Sequence, residues 1–134
     1  MGSHSTEISV PARWTEFPRL VAATDAWAAA AGLAGLSVQR LQLALEELFT
    51  NTLEHGFGAE NGSLVRLEIS CQGNRLTLRY RDEAPPFDTS LPRPQAPDEL
   101  RVGGYGLNVL RTMALAFRYR RADGANETEI EFLV

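Results

Sequence analysis

Residues 41–56 read LQLALEELFTNTLEHG and carry two side chains whose spacing could do chemistry. Glu47 and Asn51 are four apart, so on a helix they stand one turn above one another, with Glu54 continuing the same face. The carboxylate can accept a proton, and the carboxamide oxygen can ligate a hard cation. The plain alternative is a pair of solvated helix-surface residues, because Glu-x-x-x-Asn is common on helices. A second segment, Asp82-Glu83-Ala84-Pro85-Pro86-Phe87-Asp88, directly follows a strand-like run. An aspartate at a strand end, beside small residues, suits recognition of a base amino group, and such a bond contributes about 1.5–3 kcal/mol. A third, Gly103-Gly104-Tyr105-Gly106-Leu107, opens a helix, where exposed N–H groups and the helix dipole favour an anion. Taken singly, these last two also read as a capped proline turn and an ordinary glycine turn.

The elements that must position these residues follow from periodicity. In the long helix, Leu41, Ala44, Leu45, Leu48 and Thr52 form a stripe suited to a core, with Ser37 as the expected N-cap. Before it, Thr6–Val10 alternates like a short strand, and Phe17–Ala31 reads as a helix stopped by Gly32. After it, Leu64–Cys71 and Leu76–Arg81 alternate around Gly73 and Asn74 as a hairpin, with Arg66, Arg75, Arg79 and Arg81 on a solvated face. The long stretch 82–106 has little periodicity, and loops of that length inside a domain tend to be functional. A helix over Leu107–Ala116 follows, with Leu107, Leu110, Met113 and Ala114 on its apolar face. Strands at Phe117–Arg121 and Thr128–Val134, around a turn at Asp123, Gly124 and Asn126, end the sequence. The order predicts an α+β two-layer sandwich: a mixed, mainly antiparallel sheet with helices on one face. Residues 1–5 are expected to be a tag remnant or disordered, and 6–134 one domain.

Composition removes several classes. The 134 residues carry 44% hydrophobic side chains and a net charge of −4, which suits a cored domain and argues against a general nucleic-acid binder. All 13 basic residues are arginine, so a Walker P-loop or a eukaryotic-type kinase site, each needing lysine, is excluded in its usual form. Two histidines and one cysteine cannot build a zinc cluster. Cys71 is expected to be a buried structural thiol. No apolar run approaches the roughly 18 residues that span a bilayer. No membrane association is expected, and a cytoplasmic location follows from the lack of a signal pattern and of a cysteine pair.

A helical E-x-x-x-N, then D-x-small-x-small after a strand, then G-x-G-L before a helix, in that order, resembles the GHKL ATPase superfamily with its Bergerat-type ATP-binding fold. LALEELFTNTLEHGFG, the PPFD run and GGYGLNVLRTM resemble the three boxes of bacterial anti-sigma factor serine/threonine kinases. The resemblance runs from about Ile8 to Val134. It implies Glu47 as the general base, Asn51 as the ligand of Mg²⁺, and Asp82 as the partner of the adenine amino group of ATP. Gly103, Gly104, Gly106 and Leu107 would form the phosphate turn, with Ala84 and Phe87 in the nucleotide pocket. Residues 89–103 would form a lid, with Arg101 as a phosphate contact, and His55 would pack at the helix end. Ala84 and Pro86 stand where glycine is usual in the wider superfamily. The implied activity is phosphorylation of a serine on a small antagonist protein, with sequestration of an alternative sigma factor and formation of a homodimer. Two other readings stand beside it: a non-catalytic nucleotide-binding module that only sequesters a partner, and the catalytic domain of a histidine sensor kinase. The sensor-kinase reading ranks last, since the sequence leaves no room for a separate helix pair bearing an acceptor histidine.

Overall fold

Alternation along the strands decides the layering. In β2 (Leu64–Gln72), Val65, Leu67, Ile69 and Cys71 are buried, and in β3 (Arg75–Asp82) so are Leu76, Leu78, Tyr80 and Asp82. With β1 (Ser3–Pro11), β4 (Ala116–Ala122) and β5 (Ala125–Leu133) they form one five-stranded sheet in the order β1-β2-β3-β5-β4. The computed structural model describes residues 3–91 and 105–134. Every pairing among the described strands is antiparallel, so the expected mixed sheet contains no parallel pair. Two-residue turns join β2 to β3 and β4 to β5. In the second, Asp123 and Gly124 both have positive φ, as a hairpin matched to strand twist requires.

Three helices cover the apolar face: α1 (Phe17–Ala30), α2 (Leu36–Asn51) and α3 (Tyr105–Met113). α1 packs on β1 and on α2, which in turn packs on α3. Leu41, Ala44, Leu45 and Leu48 of α2 meet Leu67, Ile69, Leu78, Ile130 and Phe132 of the sheet in one core. The opposite face is charged. Glu129 pairs with Arg79 at 2.6 Å and Arg118 at 2.7 Å, Glu127 pairs with Arg120, and Arg66 pairs with Glu7. Exposed pairs of this kind contribute about 0–1 kcal/mol each, so this face serves solubility more than stability. The result is the expected two-layer α+β sandwich.

Several boundaries differ from expectation for identifiable reasons. β1 begins at Ser3 instead of Thr6, because β2 runs on to Gln72 and pairs with Ser3–Ser5, whose polar residues give no apolar signal. Gly35, not Ser37, caps α2: its carbonyl accepts the Gln39 N–H at 3.1 Å, and Ser37 is buried inside the first turn. Met113, expected in the core, is partly exposed on α3, while Leu107 and Leu110 are buried. Asn126 lies in β5 instead of in a turn.

Candidate functional site

α2 does not end cleanly at Asn51. The Phe57 N–H bonds the Thr52 carbonyl five residues back at 2.9 Å, so Thr52–Gly56 forms a single π turn. Such turns widen a helix locally and recur at functional sites. Here the π turn separates three residues that a regular helix would stack. Glu47 and Asn51 are 6% and 4% exposed, whereas Glu54 points to solvent. Burial on this scale rules out the solvated-surface alternative for the first two. Gly106, in the first turn of α3, lies directly against Glu47: a Cβ there would overlap Cγ, Cδ and Oε1 of the glutamate. Only glycine allows that approach.

Asn51 has a buried carboxamide nitrogen that has no hydrogen-bond partner among the described residues. Burying such a group unpaired is costly. A half-turn exchanges the two ends of the carboxamide, so this end can present either a donor to a phosphate oxygen or an oxygen to a cation. The donor set therefore fits an oxygen-ligated cation such as Mg²⁺ held beside phosphates.

Asp82 ends β3 and sits at the centre of a buried network. Its Oδ1 accepts the Ala84 N–H at 3.1 Å and the Asn126 amide at 2.9 Å, and its Oδ2 accepts the Thr52 hydroxyl at 2.7 Å. The Tyr80 hydroxyl lies 2.6 Å from the Thr52 oxygen. The one Thr52 proton is shared between this carboxylate and the Leu48 carbonyl at 3.0 Å, so Tyr80 is the donor to Thr52. A carboxylate has about four lone-pair sites; donors among the described residues take three, leaving one on Oδ2. Burial pushes the Tyr80 hydroxyl well above the ordinary tyrosine value, and the nearby Asp82 charge acts in the same direction.

The turn after Asp82 is clamped from several sides. Ala84 is 1% exposed, and its methyl fills the space that Gly56 leaves by having no Cβ. The methyl thus points into the π turn, and the departure from glycine at 84 is absorbed by a glycine at 56. His55, on the same turn, stacks on Phe87 with ring centres 5.8 Å apart and an interplanar angle of 8°. Arg121 donates to the Ala84 carbonyl at 2.6 Å. Further on, Thr89 bonds Thr128 at 2.6 Å, and its carbonyl accepts Arg111 of α3, whose guanidinium also covers Phe117.

Asn51, Thr52, Asp82, Phe87 and Asn126 line one narrow cleft with about 10 Å³ of room, roughly that of one water molecule. A wider depression of about 650 Å³ lies on the charged sheet face, among arginines and glutamates already paired, away from these residues. Of the expected site residues, Asn51, Asp82 and Phe87 meet in the cleft, and Glu47 lies one turn away beside Gly106. Leu107 is instead a core residue, and Ala84 packs into the π turn. Arg101, Gly103 and Gly104 lie outside the described residues. Sequence reasoning missed Asn126, Arg111 and Arg121 altogether, and it read Thr52 as part of the core stripe. No local pattern marks them; only the cross-strand register sets Asn126 opposite Asp82. Among the described residues no group of three or more metal-ligating His, Cys, Asp or Glu occurs, and no helix is long and apolar enough to cross a membrane.

A helix carrying Glu47 and Asn51, an aspartate at the end of the central strand, and a helix whose first turn sets Gly106 against that glutamate all sit in this two-layer sandwich. The chain belongs to the histidine kinase-like ATPase domain family, whose profile matches residues 10–132. It is similar to the serine-protein kinase RsbW of Listeria monocytogenes serotype 4a, with 27% identity over 94 residues, 64% of this chain and 60% of that protein. It is also similar to the serine/threonine-protein kinase BtrW of Bordetella bronchiseptica, with 27% identity over 90 residues, 64% of this chain and 63% of that one. The chain thus spans about 60% of the length of the curated relatives it matches. Among solved structures, the RsbU and RsbW domains of Rv1364c from Mycobacterium tuberculosis share the fold. The TM-score is 0.64 at 15% identity, covering 96% of this chain and 32% of that one.

Proposed function

We propose that this protein is an ATP-dependent serine protein kinase that phosphorylates a small antagonist protein and, by binding an alternative sigma factor, restrains it. The observation that carries the reading is the Asp82 carboxylate. Three donors hold it in the cleft and, among the described residues, leave one acceptor site, suited to the exocyclic amino group of adenine.

Asn51, buried and without a partner for its carboxamide nitrogen among the described residues, would hold Mg²⁺ against the phosphates, and the ion's charge would offset the negative charge on the transferring group. Phe87 would lie along the base. Glu47 would take the proton of the acceptor serine as its oxygen attacks the γ-phosphorus and the bond to ADP breaks. A positioned base of this kind contributes about 10²–10⁴ in rate. With so little room in the cleft, a purine would enter as the Phe87 ring swings aside, the backbone turn staying in place.

Asp82→Asn tests the reading. It replaces an acceptor with a group able to point a donor at the adenine amino group, so ATP affinity should fall about ten- to a hundredfold by calorimetry. Unchanged affinity would remove the nucleotide from this cleft.

A further inference from the structure

We infer that Asn126 of β5 is a specificity-determining residue: it sets the carboxylate of Asp82 so that the site accepts a purine bearing an amino group and rejects one bearing a carbonyl. The inference rests on the ATP-site reading and names what makes that site selective.

Asn126 is directly opposite Asp82 in the β3–β5 pairing and is 5% exposed. Its amide nitrogen reaches Asp82 Oδ1 at 2.9 Å, the Pro85 carbonyl at 3.0 Å and the Ala84 carbonyl at 3.2 Å. Its oxygen accepts the Phe87 N–H at 3.1 Å and the Tyr119 hydroxyl. The surroundings therefore fix which end is which. Turned over, the side chain would set its oxygen against three acceptors and its amide against the N–H of Phe87. One buried carboxamide thus ties the base-facing carboxylate to the backbone turn that carries Phe87.

The consequence concerns geometry at Oδ2. With Oδ1 occupied by Asn126 and Ala84, the carboxylate cannot turn about χ2, and the lone pair left open by Thr52 keeps one direction. An adenine amino group donates to it. The carbonyl oxygen of a hypoxanthine base would meet a carboxylate oxygen with no proton between them, and an unpaired buried polar contact of that kind is what gives a site its discrimination. Without Asn126, Oδ1 keeps only the Ala84 N–H, and the carboxylate can tilt out of the plane of the base, which weakens its bond to an adenine amino group and eases its clash with a carbonyl.

The test compares ATP with ITP, which carries a carbonyl in place of the amino group, both with Mg²⁺ and the full chain. The wild type should bind ATP at least tenfold more tightly than ITP. Asn126→Ala should bring the two affinities to within about threefold, mainly by weakening ATP. Asn126→Asp keeps the side-chain shape and the acceptor for Phe87, and should act in the same direction if the alanine variant does not fold. In an Asp82→Asn background, Asn126→Ala should leave the ATP-to-ITP ratio where Asp82→Asn alone puts it, since the selective group is already gone. A merely structural tie predicts equal losses for both nucleotides, and that result, or failure of both variants to fold, overturns the inference. If the wild type binds neither nucleotide, the ATP site itself falls. If Asp82→Asn abolishes the preference while the Asn126 variants keep it, only the role of Asn126 falls.

Discussion

Gly56 and Ala84 should behave as one complementary pair. A Cβ at position 56 would stand 2.7 Å from the Ala84 methyl, closer than real side chains approach. Gly56 is not among the glycines with positive φ, so alanine there is costly for the contact and not for the backbone. Both partners are held: Ala84 by Asp82, Asn126 and Arg121, and Gly56 by the π turn. Overpacking of this kind costs about 1–3 kcal/mol, which is roughly 3–5 °C of melting temperature for each kcal/mol in a domain of this size. Ala84→Gly should also destabilise, by about 1–2 kcal/mol, through backbone freedom and a lost methyl. The double variant moves the methyl from one side of the contact to the other, and should be no less stable than Ala84→Gly to within about 1 kcal/mol. The cycle is read from urea denaturation of the four proteins, with a coupling of about 1–3 kcal/mol expected. Because the methyl packs against Gly56 and Ala84 is not among the residues lining the cleft, Ala84→Gly should leave ATP affinity unchanged within about threefold. A Gly56→Ala protein as stable as wild type, or additive single effects, would refute the packing argument and put the methyl back in the nucleotide's path.

Two further outcomes follow from the same network. Asn51→Ala should make ATP affinity nearly insensitive to Mg²⁺, and titrations that differ with and without the ion as much as in wild type would remove its metal role. The Tyr80 hydroxyl has its folded pKa raised by burial above the unfolded value near 10. Its contribution is therefore intact below about pH 10 and is lost above it, as the unfolded chain releases a proton that the folded protein keeps, at about 1.4 kcal/mol per pH unit. Urea midpoints measured from pH 8 to 11 should show this alkaline fall in wild type and lack it in Tyr80→Phe; the same slope in both would assign it to another group.

Periodicity made most of the frame readable. The stripe Leu41, Ala44, Leu45 and Leu48 and the alternation through β2 and β3 report burial directly, because each side chain answers to one local face. The pairing of Glu47 with Asn51 was legible for the same reason. What was hidden depends on relations between distant residues or on backbone irregularity. Nothing in TLEHG announces a π turn, yet that turn parts Glu54 from Asn51 and sets Gly56 against Ala84. Asn126 looked like a turn residue beside Asp123 and Gly124, and 44 residues separate it from Asp82. Only the register of β3 on β5 brings the two together.

The proposed phosphotransfer is tested most directly by the fate of the γ-phosphate. The protein is incubated with γ-labelled ATP and Mg²⁺ in extract of its native cells, and label on serine is followed over a single turnover beside Glu47→Ala. Glu47 lies beside the core stripe and is not part of the Asp82 network, so the variant should still fold and bind ATP. The wild type is expected to label one small protein on serine, and Glu47→Ala to do so at least a hundredfold more slowly. Equal rates in the two proteins would place the base elsewhere, and a wild type that binds ATP yet labels no serine would contradict the kinase reading.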